Sequence, residues 1–543
     1  MLYNNNKIIR GVVSLSTVLT AAACTGNYLE INTNQFEVSK EQMETDGYDI
    51  GAAISALCGT VISTDVNTAQ FTDCLLGGPM GGYYSTTGAF DRTIDNFNPK
   101  DDWTNVFMAS DRIIPTLYSN LAELSSKTDD EIVLAVGQII KIAAMHRVTD
   151  TYGPIPYSQI VVGEKLAVPY DSQKDVYARM FEELDTIVAT LTRHKGESFS
   201  ANADPIYGGI VDNWCKFANS LKLRLIMRVC YTPEYKDKVS EMIKAVLSHE
   251  VGVFQSNSDN ALLKSVAFGD KGNPLFTAVK YNQPEGCVTG GDTHAAADIV
   301  SYMNAYKDPR RESYFVPSEF EGESFRYCGV LISEEKPALT TMGRKFSGVN
   351  IKSSDPLMWM NAAEVAFLKA EAAVLGFIDG SAEQFYNEGI RLSFEQYGVA
   401  SQYETYISSD SPVAVTYNTP PSGTSRSEVL SRLAVKWDDS ATTDQKQERV
   451  LIQKWIANYH LGNEAWADHR RTGYPVFFQA SETGNKSLGV NKVDSKMGAR
   501  RMPYPENEKT SNAENYADAL TLLGGNDNMN TRLWWDCKEL NKQ

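Results

Sequence analysis

Apolar residues recur at three- and four-residue spacing through several segments of the chain, the period of a helix that buries one face. Ile132, Val136, Ile139, Ile140 and Ala143 form one such face, and Thr128-Asp129-Asp130-Glu131 ahead of it reads as a capping box. Ser172 to Asp175 opens a second helix, with Val176, Met180, Leu184, Ile187 and Leu191 along its stripe. Trp214, Phe217, Leu221, Leu225 and Val229 make a third; Leu223 and Ile226 lie off that stripe, which predicts cover on two sides. Asn361 to Phe377 is rich in alanine, and Ala382 to Tyr397 carries a further ladder that Gly398 stops. Lys446 to Leu461 is predicted to be helical, with Gly462 ending it.

Between these helices run polar, aromatic, glycine-rich stretches over roughly 71–100, 252–356 and 400–445, and again after 472. They are longer than ordinary connections, which points to functional loops or inserted subdomains. Alternation of the strand type is weak throughout. The expected fold is mainly all-α, a scaffold of paired amphipathic helices carrying large irregular loops, and such pairs suggest a helical repeat.

The first residues follow another pattern. Lys7 and Arg10 precede an uncharged stretch from Gly11 to Ala23, which ends Ala21-Ala22-Ala23-Cys24. A basic start, a short apolar run and small residues make a secretion signal, here over residues 1–23. Residues 24–543 are then expected to form a single domain.

Composition narrows the function. The chain has 543 residues, 42% of them hydrophobic and 22% charged, with a net charge of -17. A chain this acidic is ill suited to neutralising nucleic-acid phosphates, so no nucleic acid is expected as a partner. The cysteines after Cys24 show no CxxC spacing, which leaves a zinc site unsupported. Cys215 and Cys230 share one helical run, too far apart along it to be bridged. Most of the seven read as small buried apolar residues.

Motifs for reactive groups are scarce in the chain. Gly77 to Gly88 lacks the Gly-Lys-Ser/Thr ending of a phosphate loop. His460 and His469 do not have the HExxH spacing, and the run Asp468 to Arg471 reads as an intramolecular charge cluster. Gly524 to Asn530 reads as a turn rather than a calcium loop. No nucleophile motif or isolated pair of carboxylates stands out. Neither enzymatic activity, a metal nor a cofactor is expected, which favours a binding protein.

Several segments together resemble a known family. Cys24 after its small residues resembles a bacterial lipoprotein signal, although Ala21 stands where such signals prefer Leu. Tyr28-Leu-Glu-Ile-Asn32, Tyr152-Gly-Pro-Ile-Pro-Tyr157 and Lys216-Phe-Ala-Asn-Ser-Leu-Lys-Leu-Arg-Leu225 follow in order. Ala363-Glu-Val-Ala-Phe-Leu-Lys-Ala-Glu371, Gln453-Lys-Trp-Ile456, Glu464-Ala-Trp466 and Arg470-Arg-Thr-Gly473 come next. Arg501-Met-Pro-Tyr-Pro505 and Thr531-Arg-Leu-Trp-Trp-Asp536 close the series. In order, along nearly the whole chain, these resemble SusD/RagB-type outer-membrane lipoproteins of Bacteroidota. The resemblance implies a TPR-containing α-helical fold with a loop-rich ligand-binding half. It also implies acylation at Cys24, residence at the cell surface, and a SusC-like TonB-dependent transporter as partner. The implied function is capture of oligosaccharides without catalysis; capture of peptides is the alternative.

The ligand contacts of such proteins lie in loops, where this chain must be read from its residues. Trp103, Trp214, Trp455, Trp534 and Trp535 sit in or beside the helix and tail motifs and read as packing residues. Aromatic residues in the loops are the better candidates: Phe71, Tyr83, Tyr84, Phe90 and Phe97, then Tyr281-Asn282-Gln283, then Tyr314-Phe315. The ligand site is expected at Tyr83, Tyr84, Tyr281 and Asn282. For any single aromatic, plugging its loop onto the scaffold remains the plainer role.

Overall fold

The computed structural model describes residues 48–88, 94–98, 107–108, 113–163, 167–411, 413–487 and 492–539. Cys24 and its signal, Phe90 and Trp103 lie outside the described residues. A compact unit runs from Ile50 onward and is described by itself.

Helix dominates, at 49% of the described residues. Among the described residues the helices of nine or more residues are α1 (Tyr48–Cys58), α2 (Ile113–Lys127), α3 (Glu131–Tyr152), α4 (Gln173–Arg193), α5 (Val211–Val229), α6 (Val239–Leu247), α7 (Ala297–Ala305), α8 (Ala362–Val374), α9 (Ala382–Gln396), α10 (Thr443–Ala457), α11 (Gly462–Thr472) and α12 (Ala513–Leu523). Side-chain caps fix several starts. The Ser172 hydroxyl accepts from Asp175 N at 3.1 Å, Asn361 Oδ1 accepts from Glu364 N at 2.7 Å, and Thr442 with Gln445 forms a full capping box. At α3 the cap is Asp130, whose Oδ1 accepts from Ile132 N at 2.8 Å, while Thr128 instead receives Asp130 N. The cap therefore sits two residues later than the Thr128 box predicted.

Neighbouring helices pack in pairs, α3 with α4, α4 with α5, and α8 with both α9 and α10. Helix α5 is buried on both sides, as its off-stripe Leu223 and Ile226 required. Helix α3 is long and apolar enough to cross a membrane, yet 89% of its apolar window is buried inside the protein, as in a core helix.

Charged residues cross this core and join five helices. Arg228 of α5 meets Asp150 of α3 and Glu464 of α11, each at 2.5 Å. Arg224 reaches Glu364 of α8 at 2.7 Å. Lys454 of α10 holds Asp468 at 2.7 Å, and Arg471 holds Glu371 at 2.8 Å. The Asp468–Arg471 run is thus an intramolecular cluster, as read from the sequence. Burying these charges is expensive, and their mutual pairing offsets that cost. Lys454 and Arg471 hold the Asp468 carboxyl down at about 2 against the desolvation that would raise it.

Two stretches differ from expectation. Residues 66–80, placed partly in the first loop, form a buried continuous helix whose middle, Gln70–Gly77, has π register. Its glycines serve close approach rather than flexibility: a Cβ on Gly462 would lie 2.3 Å from the Gly77 carbonyl carbon. The helix expected over Lys446–Leu461 is α10, which ends at Ala457 with Asn458 as its cap, so Gly462 does not end it but begins α11. The segment after 472 also contains α12, which Gly524 closes in the left-handed region at φ 69°.

Residues 252–356 hold most of the short strands. β1 (Tyr84–Thr86) pairs antiparallel with β3 (Thr293–Ala295), β2 (Ala261–Leu263) with β6 (Leu357–Met360), and β4 (Phe315–Val316) with β5 (Gly348–Val349). All seven described cysteines are free, six of them buried.

Candidate ligand-binding site

Most of the loop aromatics turn inward. Tyr83 and Tyr84 are 0% and 1% exposed. The Tyr83 hydroxyl donates to Trp455 O at 2.5 Å, and its ring stacks on Trp455 with centroids 5.5 Å apart. Tyr84 meets His460 Nδ1 through its hydroxyl. Tyr83, Tyr84, Tyr314 and Phe315 all converge on Tyr459, just beyond α10, at centroid distances of 5.3, 6.0, 4.5 and 5.7 Å. These rings anchor two separate segments to one buried hub. Placing Tyr83 and Tyr84 at the ligand surface is therefore corrected: no face of either ring is open to a ligand. Trp214, Trp455 and Trp535 are likewise buried and Trp534 partly so, matching their reading as packing residues.

Tyr281 behaves differently. It is 56% exposed, and no other Phe, Tyr or Trp among the described residues is as open. The strand pair β1–β3 links it to the hub: Tyr84 opposite Ala295 fixes β3, and the loop 279–292 leads directly into that strand. The loop closes on itself through Gly291 N to Val279 O at 3.0 Å and Asp292 N to Tyr281 O at 2.8 Å. A Cβ at position 291 would lie 2.0 Å from Tyr281 O, so the closure requires Gly291. Asn282 takes a left-handed φ of 58°, which asparagine tolerates, and donates Nδ2 to Asp292 Oδ2 at 2.7 Å. Burial raises the Asp292 carboxyl and the Asn282 hydrogen bond opposes that shift. Gln283 ties to Cys287 O at 2.6 Å, and Val288 adds 66% exposed apolar surface. Tyr281 and Asn282 thus share one braced loop, with a ring face and amide groups of the kind that hold sugar rings and hydroxyls.

That loop is tied to its neighbours. Arg344 donates to Gly286 O at 2.9 Å while its own carbonyl accepts from Thr289 Oγ1 at 2.5 Å. Next along, Lys345 O accepts from Glu319 N at 2.7 Å, and Phe346 packs edge-on against Phe320. Segment 343–347 therefore lies between loops 279–292 and 318–328.

A groove of about 650 Å³ opens beyond, lined by Asn304, Lys307, Arg311, Arg326, Tyr327 and Asn418 among others. Its one mark in the sequence is the basic pair Arg310-Arg311 close after Lys307 in an acidic chain. Another groove, about 930 Å³, runs past Tyr474, Phe477 and Met497 with charges of both signs. Among the described residues no group of three His, Cys, Asp or Glu side chains could hold a metal ion.

Comparisons with known proteins agree with this architecture. The family model described as SusD-like, the SusD and RagB outer membrane lipoproteins, matches residues 30–536. A SusD homolog from Bacteroides uniformis is 49% identical and superposes with a TM-score of 0.85, over 90% of this chain and 100% of its own. A SusD homolog from Bacteroides thetaiotaomicron is 34% identical with a TM-score of 0.81, covering 91% and 100%. A chitin-binding SusD homolog from Flavobacterium johnsoniae is 31% identical with a TM-score of 0.77, covering 90% and 99%. A comparison with curated proteins gives no match. The chain belongs to the SusD-like family of outer membrane lipoproteins.

Proposed function

We propose that this protein captures oligosaccharides at the cell surface through the Tyr281 loop and delivers them, unaltered, to a SusC-like TonB-dependent transporter. The observation that carries the reading is Tyr281, a 56% exposed ring on a braced polar loop, where Tyr83, Tyr84, Phe97, Tyr314 and Phe315 are buried. An exposed tyrosine costs little rotamer entropy and offers a flat apolar face, which suits a sugar ring. Asn282 and Gln283 beside it supply amide donors and acceptors for hydroxyls. A chitin-binding relative with the same fold supports a sugar ligand. Acyl chains on Cys24 hold the protein to the membrane in this reading.

The test is a glycan array and a peptide array probed in parallel with the soluble chain beginning after Cys24. Selective binding to related glycans supports the proposal. Binding confined to the peptide array replaces it with peptide capture.

A further inference from the structure

One groove of this acidic chain gathers three basic side chains beside three acidic ones, Asp308, Glu312 and Glu323. The net charge is -17, yet the groove of about 650 Å³ beyond the C-terminal end of α7 presents Lys307, Arg311 and Arg326. Arg310, next to them, is fully buried against Asp308 at 2.5 Å, so that carboxylate is already engaged.

Arg311 is held in place. Its Nε donates to Asp308 O at 2.9 Å and its Nη1 to Asn304 Oδ1 at 3.0 Å. The guanidinium carbon stands 5.6 Å from the centre of the Tyr327 ring. Tyr327 is itself buried, and its carbonyl accepts from Asn304 Nδ2 at 2.9 Å. Both contacts of the guanidinium are neutral, and among the described residues neither Arg311 nor Lys307 has a carboxylate partner. Arg326, on the same ring at 5.7 Å and hydrogen-bonded to Tyr327, has among the described residues only long carboxylate contacts, to Glu312 at 3.5 Å and Glu323 at 3.9 Å. Those two carboxylates are 74% and 87% exposed, so water screens them strongly.

A fixed guanidinium with spare N–H groups recognises planar oxyanions, because its fork is already oriented before the ligand arrives. Lys307 adds a mobile second charge, and Gln402 and Asn418 supply amides for neighbouring hydroxyls. We propose that this groove takes an acidic oligosaccharide, one bearing a carboxylate or sulfate group that pairs with Arg311 and Lys307. The proposal rests on the oligosaccharide-capture reading and names the ligand class within it.

The test is calorimetry with tetragalacturonate, a chondroitin sulfate tetrasaccharide and chitotetraose. Each is titrated into the wild type, Arg311→Gln and Lys307→Gln at low and high salt. At least one acidic oligosaccharide should bind more tightly than chitotetraose. It should weaken about tenfold in Arg311→Gln, the loss expected for a hydrogen bond to a charged group, and weaken at high salt. The arm that binds identifies carboxylate or sulfate. If Arg311→Gln lowers the melting temperature, Lys307→Gln decides, because that side chain is exposed. Acidic ligands that bind no tighter than chitotetraose, or equal affinities in wild type and variants, overturn the inference. Chitotetraose binding alone does so while leaving oligosaccharide capture standing; no binding by any sugar here or on the array removes both.

Discussion

At the scale of single residues, the same side chain serves opposite ends depending on what lies behind it. Tyr83 and Tyr281 both sit in polar, glycine-containing sequence, yet one is sealed under Trp455 and Tyr459 and the other stands in solvent. Nothing local to either residue separates them; the difference comes from β1 pairing with a strand more than two hundred residues away. Tyr83→Phe removes a buried hydroxyl and leaves Trp455 O without that donor. Its stability, measured by denaturant unfolding, should fall by about 1–3 kcal/mol, while ligand affinity stays at the wild-type value. A fall in affinity without a fall in stability would return Tyr83 to the ligand surface.

At the scale of elements, glycine proved to be the residue type whose role the sequence leaves open. The run around Gly77 and Gly78 falls in the glycine-rich stretch expected to be a loop, but the chain there is a helix pressed against α11, with backbone meeting backbone at Gly462. Gly462→Ala would drive a methyl into the Gly77 carbonyl, and neither backbone can yield without shifting its helix. The expected loss is about 1–3 kcal/mol or more, read as a lower melting temperature. The helical stripes were legible because burial imposes a period, and a stripe such as Val176 to Leu191 is buried at every position. The charged partners across the core were not, since pairing between α8 and α11 leaves no mark on spacing. Arg471→Met strands Glu371 in the interior; the cost should be about 3–5 kcal/mol. Adding Glu371→Gln to that variant should restore part of the loss, and a double variant no better than the single one would show that the pair does not act as a unit.

For the molecule as a whole, the family motifs and the ligand loops have divided the work. Arg224, Glu364, Glu371, Glu464 and Arg471 belong to the recognisable motifs, and all are buried in the ion network that binds the helices together. The fold was therefore legible in the sequence and the ligand site only in part, because the motifs report the scaffold. One consequence of so polar a core is a dependence on pH. Asp298 is buried, with Oδ1 accepting from Phe478 N at 2.8 Å, and burial raises its carboxyl from 3.8 to about 7. Arg426 opposes the shift and Glu428 adds to it. A carboxyl raised on folding holds a proton that the unfolded chain releases, so its contribution is present below the unfolded value and is lost as pH rises through the folded one. Asp298→Asn, which cannot ionise, should gain melting temperature relative to the wild type as pH climbs from 3.8 to about 7, then level off. A constant difference over that range would contradict the assignment. Membrane attachment belongs to this scale too. Cys24→Ser should move the protein from the membrane fraction to the soluble one, and retention through a carbonate wash would exclude a lipid anchor there.

The central claim is that a buried helical scaffold holds one exposed ring, Tyr281, against a sugar. Calorimetry of Tyr281→Ala with a glycan that binds the wild type tests it most directly. The account predicts unchanged thermal unfolding and an affinity lower by about tenfold to a hundredfold, the 1–3 kcal/mol typical of a stacked anchor. Wild-type affinity in a folded Tyr281→Ala protein would contradict it.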